Sequence, residues 1–321
     1  MMRGCVAGLV LTAGLLGGCG PTAFLITPVP ASRELREIEL DRESLFASRK
    51  IALIEVDGVI SNQRPSSLLG TEGDNPVSVL REKLDKAAVD RIHSPGGGAT
   101  ASDLMYTEVR RFREETGKPV IAYLLDVAAS GGYYVACAAD RILAHPSAVT
   151  GSIGVIMITP DLSGTMLKLG VRANVIKSGE LKDAGSPFRE MNPADRAIFE
   201  GIINGMYERF LAVVGEARRD LPAQRVRELA DGRVYLAPQA LEAGLVDGLC
   251  DMDGAVQAAR EAAGLGDRAI VLVRYGRPVD YRPNYYAQAP GVPAQVNLVH
   301  VELPAWLRDG PQFLYLWAPG W

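Results

Sequence analysis

Histidine and cysteine are scarce in this sequence, which contains three histidines and four cysteines among 321 residues. Neither Cys137 nor Cys250 has a second cysteine or a histidine at metal-ligand spacing, so no zinc motif is present. The chain also has no P-loop and no basic stripe, which argues against nucleotide and nucleic-acid binding. The formal net charge is −4, and the composition is that of an ordinary globular protein. Because the sequence has neither a zinc motif nor a P-loop, no metal or other cofactor is expected.

The apolar run near the N-terminus is too short to be a lasting membrane anchor. It covers residues 6–16, follows Arg3, and is typical of a secretory signal peptide. The run ends in "LGGC", in which small residues precede Cys19, and this is similar to the lipobox of bacterial lipoproteins. That resemblance implies cleavage before Cys19 and lipidation of its thiol. The alternative is an ordinary cleaved signal with an incidental cysteine.

Four segments are predicted on this basis. They are a signal peptide (1–18), a lipidated tether (19–48), a catalytic domain (49–266) and a Pro/Tyr-rich C-terminal extension (267–321). The expected location is the exported side of a membrane in the bacterial cell envelope, with the membrane as a partner through lipidated Cys19. In that compartment Cys137 and Cys250 could form one disulfide, although two buried free thiols are favoured.

Strand and helix patterns alternate along the predicted domain, which favours an α/β fold. A helix is expected to begin at Asn192-Pro193, with an apolar face of Ile198, Ile202, Met206, Phe210, Val213 and Val214 that serves as core or as a subunit contact. A short helix is expected around residues 33–45. Further strands are expected at residues 51–56, 88–93, 118–125, 141–144 and 171–176, and further helices at 77–87 and 101–115.

The C-terminal extension has a different character from the domain. One strand-like run (269–275) is followed by a segment rich in proline and tyrosine, which cannot be regular helix over most of its length. The extension could pack on the body of the protein, contact a neighbouring subunit or lie at a membrane surface. Packing on the protein is preferred.

Ser130 stands out within "DVAASGGYY" (126–134). A buried strand precedes it and a helix pattern follows it, with a Gly-Gly pair that permits a sharp turn. A nucleophile is often found on such a strand-to-helix turn, where free N–H groups can stabilise an oxyanion. A helix N-cap is the competing interpretation.

A serine hydroxyl needs a base to become a nucleophile. The histidine-dependent motif Gly-x-Ser-x-Gly is absent around Ser130, although His93 could approach it. A lysine can act as the base if burial or neighbouring charges lower its pKa towards neutrality. Lys182, in "KSGELKDAGSP" (177–187), is the candidate, but spacing alone does not favour it over Lys177.

Five motifs in one order carry a family resemblance: "SPGG" (94–97), "AASGGYY" (128–134), "TGSIGVI" (150–156), "SGELKDAGSP" (178–187) and "DGRVY" (231–235). Together they closely resemble the signal peptide peptidase A family of membrane-associated serine peptidases. The resemblance covers about residues 50–264. It implies the crotonase and Clp-protease fold, a spiral of ββα units.

The resemblance also implies roles for individual residues. Ser130 matches the nucleophile, Lys182 the general base, and Ser152 a serine that orients the lysine. The backbone N–H groups of Gly97 and Gly131 match the oxyanion hole. The family forms homo-oligomers and cleaves signal-peptide remnants and other short or unfolded peptides, so an endopeptidase of that kind is expected.

Two other functions are compatible with the same scaffold. One is the acyl-CoA chemistry of crotonase relatives, which the export signal disfavours because CoA is cytoplasmic. The other is a non-catalytic envelope lipoprotein, which the Ser130, Ser152 and Lys182 set disfavours.

Overall fold

The computed structural model describes residues 35–62, 75–85, 90–276 and 313–316. The predicted signal peptide, Cys19 and the first part of the predicted tether lie outside these residues. Within the described part of the chain, no helix is both long enough and apolar enough to cross a membrane.

Strands and helices alternate through the described residues, as the sequence predicts. The strands are β1 (Arg36–Arg42), β2 (Arg49–Asp57), β3 (Asp90–Ser94), β4 (Gly96–Gly98), β5 (Ile121–Ala129), β6 (Arg141–Ala144), β7 (Val149–Gly151), β8 (Ile156–Met157), β9 (Val234–Leu236), β10 (Gly248–Leu249), β11 (Ile270–Gly276) and β12 (Phe313–Leu316). The helices are α1 (Pro76–Leu84), α2 (Ala99–Thr116), α3 (Gly131–Ala136), α4 (Ser163–Lys168), α5 (Pro193–Ala217), α6 (Ala223–Leu229), α7 (Ala237–Glu242) and α8 (Met252–Ala262).

A central sheet has the strand order β1-β11-β2-β3-β5-β6-β10, and every neighbouring pair from β11 to β10 is parallel. Parallel sheets are covered on both faces, and alternate residues of β2 accordingly enter two different cores. Ile54 packs in the core that also contains residues of α1, α2, α3 and α5. Leu53 packs in the core formed with α8 on the other face.

Strand β5 changes partner along its length, and this change positions the residue that follows it. Residues Ile121 to Leu124 pair with β6, whereas Val127 to Ala129 pair with β7. β7 in turn pairs with β9 in antiparallel orientation. The carboxyl end of β5 therefore curls away from the plane of the central sheet, and Ser130 lies at that end.

A second, smaller sheet has the strand order β4-β12-β8, with both pairs antiparallel. It combines part of the "SPGG" motif with the strand after Ser152 and with a segment of the C-terminal extension. The extension therefore contacts the body of the protein over Phe313–Leu316, as preferred from the sequence.

Two elements predicted from the sequence are wrong. Residues 36–42 form strand β1 rather than a helix, because Ile38 and Leu40 alternate with charged residues at period two. Residues 171–176 form no strand: all six are exposed, and no described strand pairs with them. The central sheet also extends past both ends of the predicted 49–266 domain, because β1 pairs with β11.

Helix α5 begins as predicted. Asn192 accepts a hydrogen bond from the Asp195 N–H in a reciprocal capping box, and Pro193 occupies the first turn. Its apolar stripe is divided, because Phe210, Val213 and Val214 are buried whereas Ile198 and Ile202 are exposed. The first half of the stripe is thus available for contact with another molecule.

Substitution of Leu124 tests how much the packing of β5 in this core contributes to the free energy of unfolding. Its side chain is fully buried, so Leu124→Ala is expected to lower the free energy of unfolding by about 2–5 kcal/mol. Leu45 is 89% exposed, and Leu45→Ala is expected to change it by less than about 0.5 kcal/mol. Urea unfolding of both variants measures the difference, and equal losses would contradict the assigned packing.

Candidate active site

Ser130 joins β5 to α3 in a backbone conformation that is rare for a residue with a side chain. Its φ is 52° and its ψ is −113°, and the residue is 1% exposed. Its N–H donates to the Gly151 carbonyl at 2.7 Å, and its carbonyl accepts from the Tyr134 N–H at 2.9 Å. The hydroxyl makes no capping hydrogen bond with α3. Ser130 therefore occupies the N-cap position of α3, as the competing interpretation has it, but its hydroxyl does not cap the helix.

The start of α3 is pressed against the end of β3. A Cβ at position 132 would lie 2.5 Å from the Ser94 carbonyl oxygen, so this approach requires glycine. Tyr133 donates its hydroxyl proton to the Leu245 carbonyl at 2.7 Å, and the Tyr134 ring packs edge-on against Phe210. These contacts hold the residues after Ser130 in one position.

Ser152 lies beside Ser130 at the end of the neighbouring strand. β5 and β7 are parallel, with Ala129 opposite Gly151, so the two serines follow paired residues. Ser152 also has a positive φ, 49°, and its N–H donates to the Arg233 carbonyl at 2.7 Å. The two serines predicted for the site are thus brought together by strand pairing.

The "SPGG" segment reaches the same region from β3. The Ser94 hydroxyl donates to the Gly58 carbonyl at 2.5 Å and accepts from the Gly96 N–H at 3.1 Å, which fixes the turn into β4. A Cβ at position 97 would lie 2.0 Å from the Ile60 carbonyl oxygen, so Gly97 is required by this close approach. The positioning role of Ser94 was not predicted, although its place at the start of the motif was the available signal.

Lys182 lies outside this buried group. It belongs to a 3₁₀ turn, Glu180–Asp183, and is exposed in the single chain. The structure forms no hydrogen bond between Lys182 and either serine. Lys177, the alternative lysine, donates to Asp183 and to the Glu180 carbonyl, both at 2.7 Å. Lys182 makes no ion pair with any described residue, so it is the lysine whose amine is left for other chemistry.

An ion-pair clamp fixes the turn that carries Lys182. Arg189 donates to Asp183 at 2.9 Å and also to Asp195, the fully buried carboxylate of the α5 capping box. Hydrogen bonds from Arg189 lower the pKa of both carboxyl groups. Because these pKa values are lowered in the folded state, the clamp stabilises the fold above their ordinary value of about 4 and weakens as pH falls through the lowered values.

Cys137 and His145 are two further described residues with nucleophilic or basic side chains. Burial raises the pKa of Cys137 to about 12, so its thiol stays protonated near neutral pH. Cys137 and Cys250 are both free thiols. The His145 ring contacts the Ser147 hydroxyl at 2.7 Å, and the His93 side chain lies outside what the structure describes. Among the described residues, no group of His, Cys, Asp or Glu could hold a metal ion.

Comparison with known proteins identifies the family of this chain. The family model of peptidase family S49 matches residues 112–266, which include both serines and Lys182. A candidate protease of Synechocystis sp. is 38% identical over 224 residues, which is 70% of this chain and 78% of the relative. The chain belongs to peptidase family S49. This membership confirms the predicted family and the α/β fold of the Clp-protease and crotonase type.

Two further relatives carry peptidase or protease names. A candidate signal peptide peptidase A of Enterococcus faecium is 32% identical over 247 residues, which is 75% of this chain and 71% of the relative. The chloroplastic serine protease SPPA of Arabidopsis thaliana is 35% identical over 246 residues, which is 73% of this chain but 36% of that protein. The family and these relatives support a peptidase.

The clamp around Lys182 can be tested by hydrogen exchange. Arg189→Met removes both ion pairs, so amide exchange in residues 178–189 is expected to rise at least several-fold at neutral pH because the turn loses its attachment to α5. Arg196→Met is the matched control: Arg196 lies 3.9 Å from Glu200 in an exposed pair, and exchange should stay unchanged. Equal exchange in the two variants would show that the clamp does not hold this turn.

Proposed function

We propose that this protein is a serine endopeptidase with a Ser130–Lys182 dyad that hydrolyses signal-peptide remnants and other short or unfolded peptides. The observation that carries the proposal is the burial and the backbone conformation of Ser130. The residue is 1% exposed, its hydroxyl makes no capping hydrogen bond with α3, and it lies on a strained turn beside Ser152. A backbone held at positive φ costs about 1–3 kcal/mol and is typical of functional positions.

The proposed reaction is acyl transfer. The Ser130 oxygen attacks the peptide carbonyl carbon while its proton passes to the neutral amine of Lys182. The N–H groups of Gly97 and Gly131 stabilise the oxyanion, each by about 3 kcal/mol. Lys182 then protonates the leaving amine as the C–N bond breaks. Water, deprotonated by Lys182, hydrolyses the ester and releases Ser130.

Ser152 acts as a positioning residue in this proposal. Its conformation is fixed by the hydrogen bond to the Arg233 carbonyl and by the β5–β7 pairing. From that place a hydroxyl can accept a hydrogen bond from the lysine and fix its rotamer. The strand pairing supports this role because it holds Ser152 next to Ser130.

Burial disfavours the charged form of a lysine and so allows it to act as a base, whereas Lys182 is exposed in the single chain. The segment around it is unusually apolar for a surface. Its large exposed side chains are Leu162, Leu167, Leu169, Val171, Val175, Ile176 and Leu181. A second copy of the chain, packed on these residues and on the exposed half of the α5 stripe, would bury both the apolar surface and the turn. We therefore include a homo-oligomer in the proposal.

The proposed place of action is the exported side of a membrane in the bacterial cell envelope. Lipidated Cys19 would hold the enzyme there, where signal-peptide remnants are produced. The sequence "LGGC" supports this part of the proposal.

Substitution of the dyad tests the mechanism. Ser130→Ala and Lys182→Ala are each expected to lower kcat for an apolar fluorogenic peptide by at least about 1,000-fold, because both groups act in the same step. In the parent protein the rate should rise between pH 6 and 10 as the base loses its proton. Lys118→Ala, in the exposed loop between α2 and β5, is the control and should retain the parent rate. A parent no faster than Ser130→Ala would exclude the proposed mechanism.

The proposed assembly is tested separately. Ile176 is fully exposed in the single chain, so Ile176→Glu should introduce a charge into the proposed interface. Sedimentation velocity is expected to show a smaller species, with loss of peptidase activity in the same fractions. Leu45→Glu, at a site 89% exposed and distant in sequence, should leave both unchanged. An Ile176→Glu protein that sediments like the parent would place the interface elsewhere.

A further inference from the structure

Strand β12 of the C-terminal extension lies between two strands that flank the candidate site. On one side it pairs with β4, with Tyr315 opposite Gly97. On the other it pairs with β8, with Leu314 opposite Ile156. β4 carries the predicted oxyanion glycine, and β8 begins four residues after Ser152. The extension thus inserts an extended segment into the site region.

β4 and β8 do not pair with each other, because β12 fills the space between them. Without β12, each would present unpaired N–H and carbonyl groups along an edge, with a gap one strand wide. Such an edge is a template for an added extended peptide. The gap therefore has the form of a peptide-binding groove that is closed in this chain by its own residues.

The backbone of Gly97 faces β12. The Gly96 carbonyl accepts from the Ile60 N–H and the Gly98 N–H donates to the Ile60 carbonyl, both at 2.9 Å. Successive residues of a strand direct these groups to opposite sides, so the N–H of Gly97 is directed away from Ile60 and towards Tyr315. The donor assigned above to the oxyanion hole is thus directed at the extension, where a substrate carbonyl is expected.

We propose that Phe313–Leu316 occupies the peptide-binding groove in the manner of a substrate and competes with peptides for it. The inference rests on the proposed function, since it takes the β4–β8 groove to be the substrate site of that peptidase. A covalently attached segment competes at an effective concentration on the order of millimolar. Peptides that pair weakly with β4 and β8 are excluded, and extended peptides that displace β12 are admitted.

Binding measured without turnover tests the occupancy. The full chain carrying Ser130→Ala is titrated against a fluorescent peptide of residues 311–318, "PQFLYLWA". Adding Tyr315→Pro removes the N–H that β12 directs to β4, so the apparent Kd is expected to fall at least about tenfold as the groove opens. Tyr315→Val retains the N–H and is the matched control, with a Kd within about twofold of the parent. The same peptide N-methylated at the residue corresponding to Tyr315 should not bind.

Three results overturn the inference: a Kd unchanged by Tyr315→Pro, an equal gain with Tyr315→Val, or equal binding of the N-methylated peptide. Circular dichroism confirms that each variant is folded. In a chain that retains Ser130, Tyr315→Pro should lower the apparent KM with kcat unchanged. Binding without any hydrolysis would refute the peptidase and leave the groove assignment standing. Hydrolysis that Tyr315→Pro does not affect would refute the occupancy alone.

Discussion

The pairing of β5 with β7 is the constraint on which the rest of this site depends. It places Ser130 and Ser152 at adjacent strand ends, and the 2.7 Å hydrogen bond from the Ser130 N–H to the Gly151 carbonyl holds the strained turn between β5 and α3. Both serines have positive φ, a conformation that the isolated chain would rarely adopt. The buried tyrosines of α3 and the close approach of residue 132 to Ser94 supply the packing that keeps this turn in place. A hydroxyl prepared in this way is spared the entropy of being ordered when a substrate binds.

The proposed base, Lys182, lies on an exposed surface, unlike the buried Ser130. The turn with Lys182 is fixed at its base by Arg189, Asp183 and Asp195, yet the amine and the apolar residues around it are exposed. Within a single chain, Ser130 is therefore buried, whereas Lys182 is exposed on a turn that ion pairs hold in place. In the proposed function, each subunit holds its Ser130 nucleophile in place, and Lys182 acts as the base once a second copy covers the exposed segment. The proposal thus couples assembly to activity.

The C-terminal extension gives the same site a second level of control. β12 supplies the hydrogen-bond partners that the edges of β4 and β8 would otherwise lack. Because these bonds are made by backbone groups, a bound peptide of many sequences can replace them, which suits a peptidase that acts on unrelated short chains. Selectivity in this arrangement comes from the free energy needed to displace the extension, added to any preference of the side-chain pockets.

Local sequence predicted most of the elements, because strand runs, glycine turns and the capping box at Asn192 act over a few positions. The order of the five motifs indicated the family, and that resemblance supplied the candidate roles of Lys182, Ser152 and Gly97. Local sequence was wrong at residues 33–45 and 171–176, where the short patterns do not reveal whether a partner strand exists. Tertiary structure decided what depends on distant segments. It placed Ser130 at the N-cap of α3 without a capping hydrogen bond from its side chain. It also separated Lys182 from Lys177 through the ion pairs of Asp183, and brought Phe313–Leu316 against Gly97. These outcomes depend on which backbone groups meet across the fold, and residue patterns of short range carry no record of those pairings.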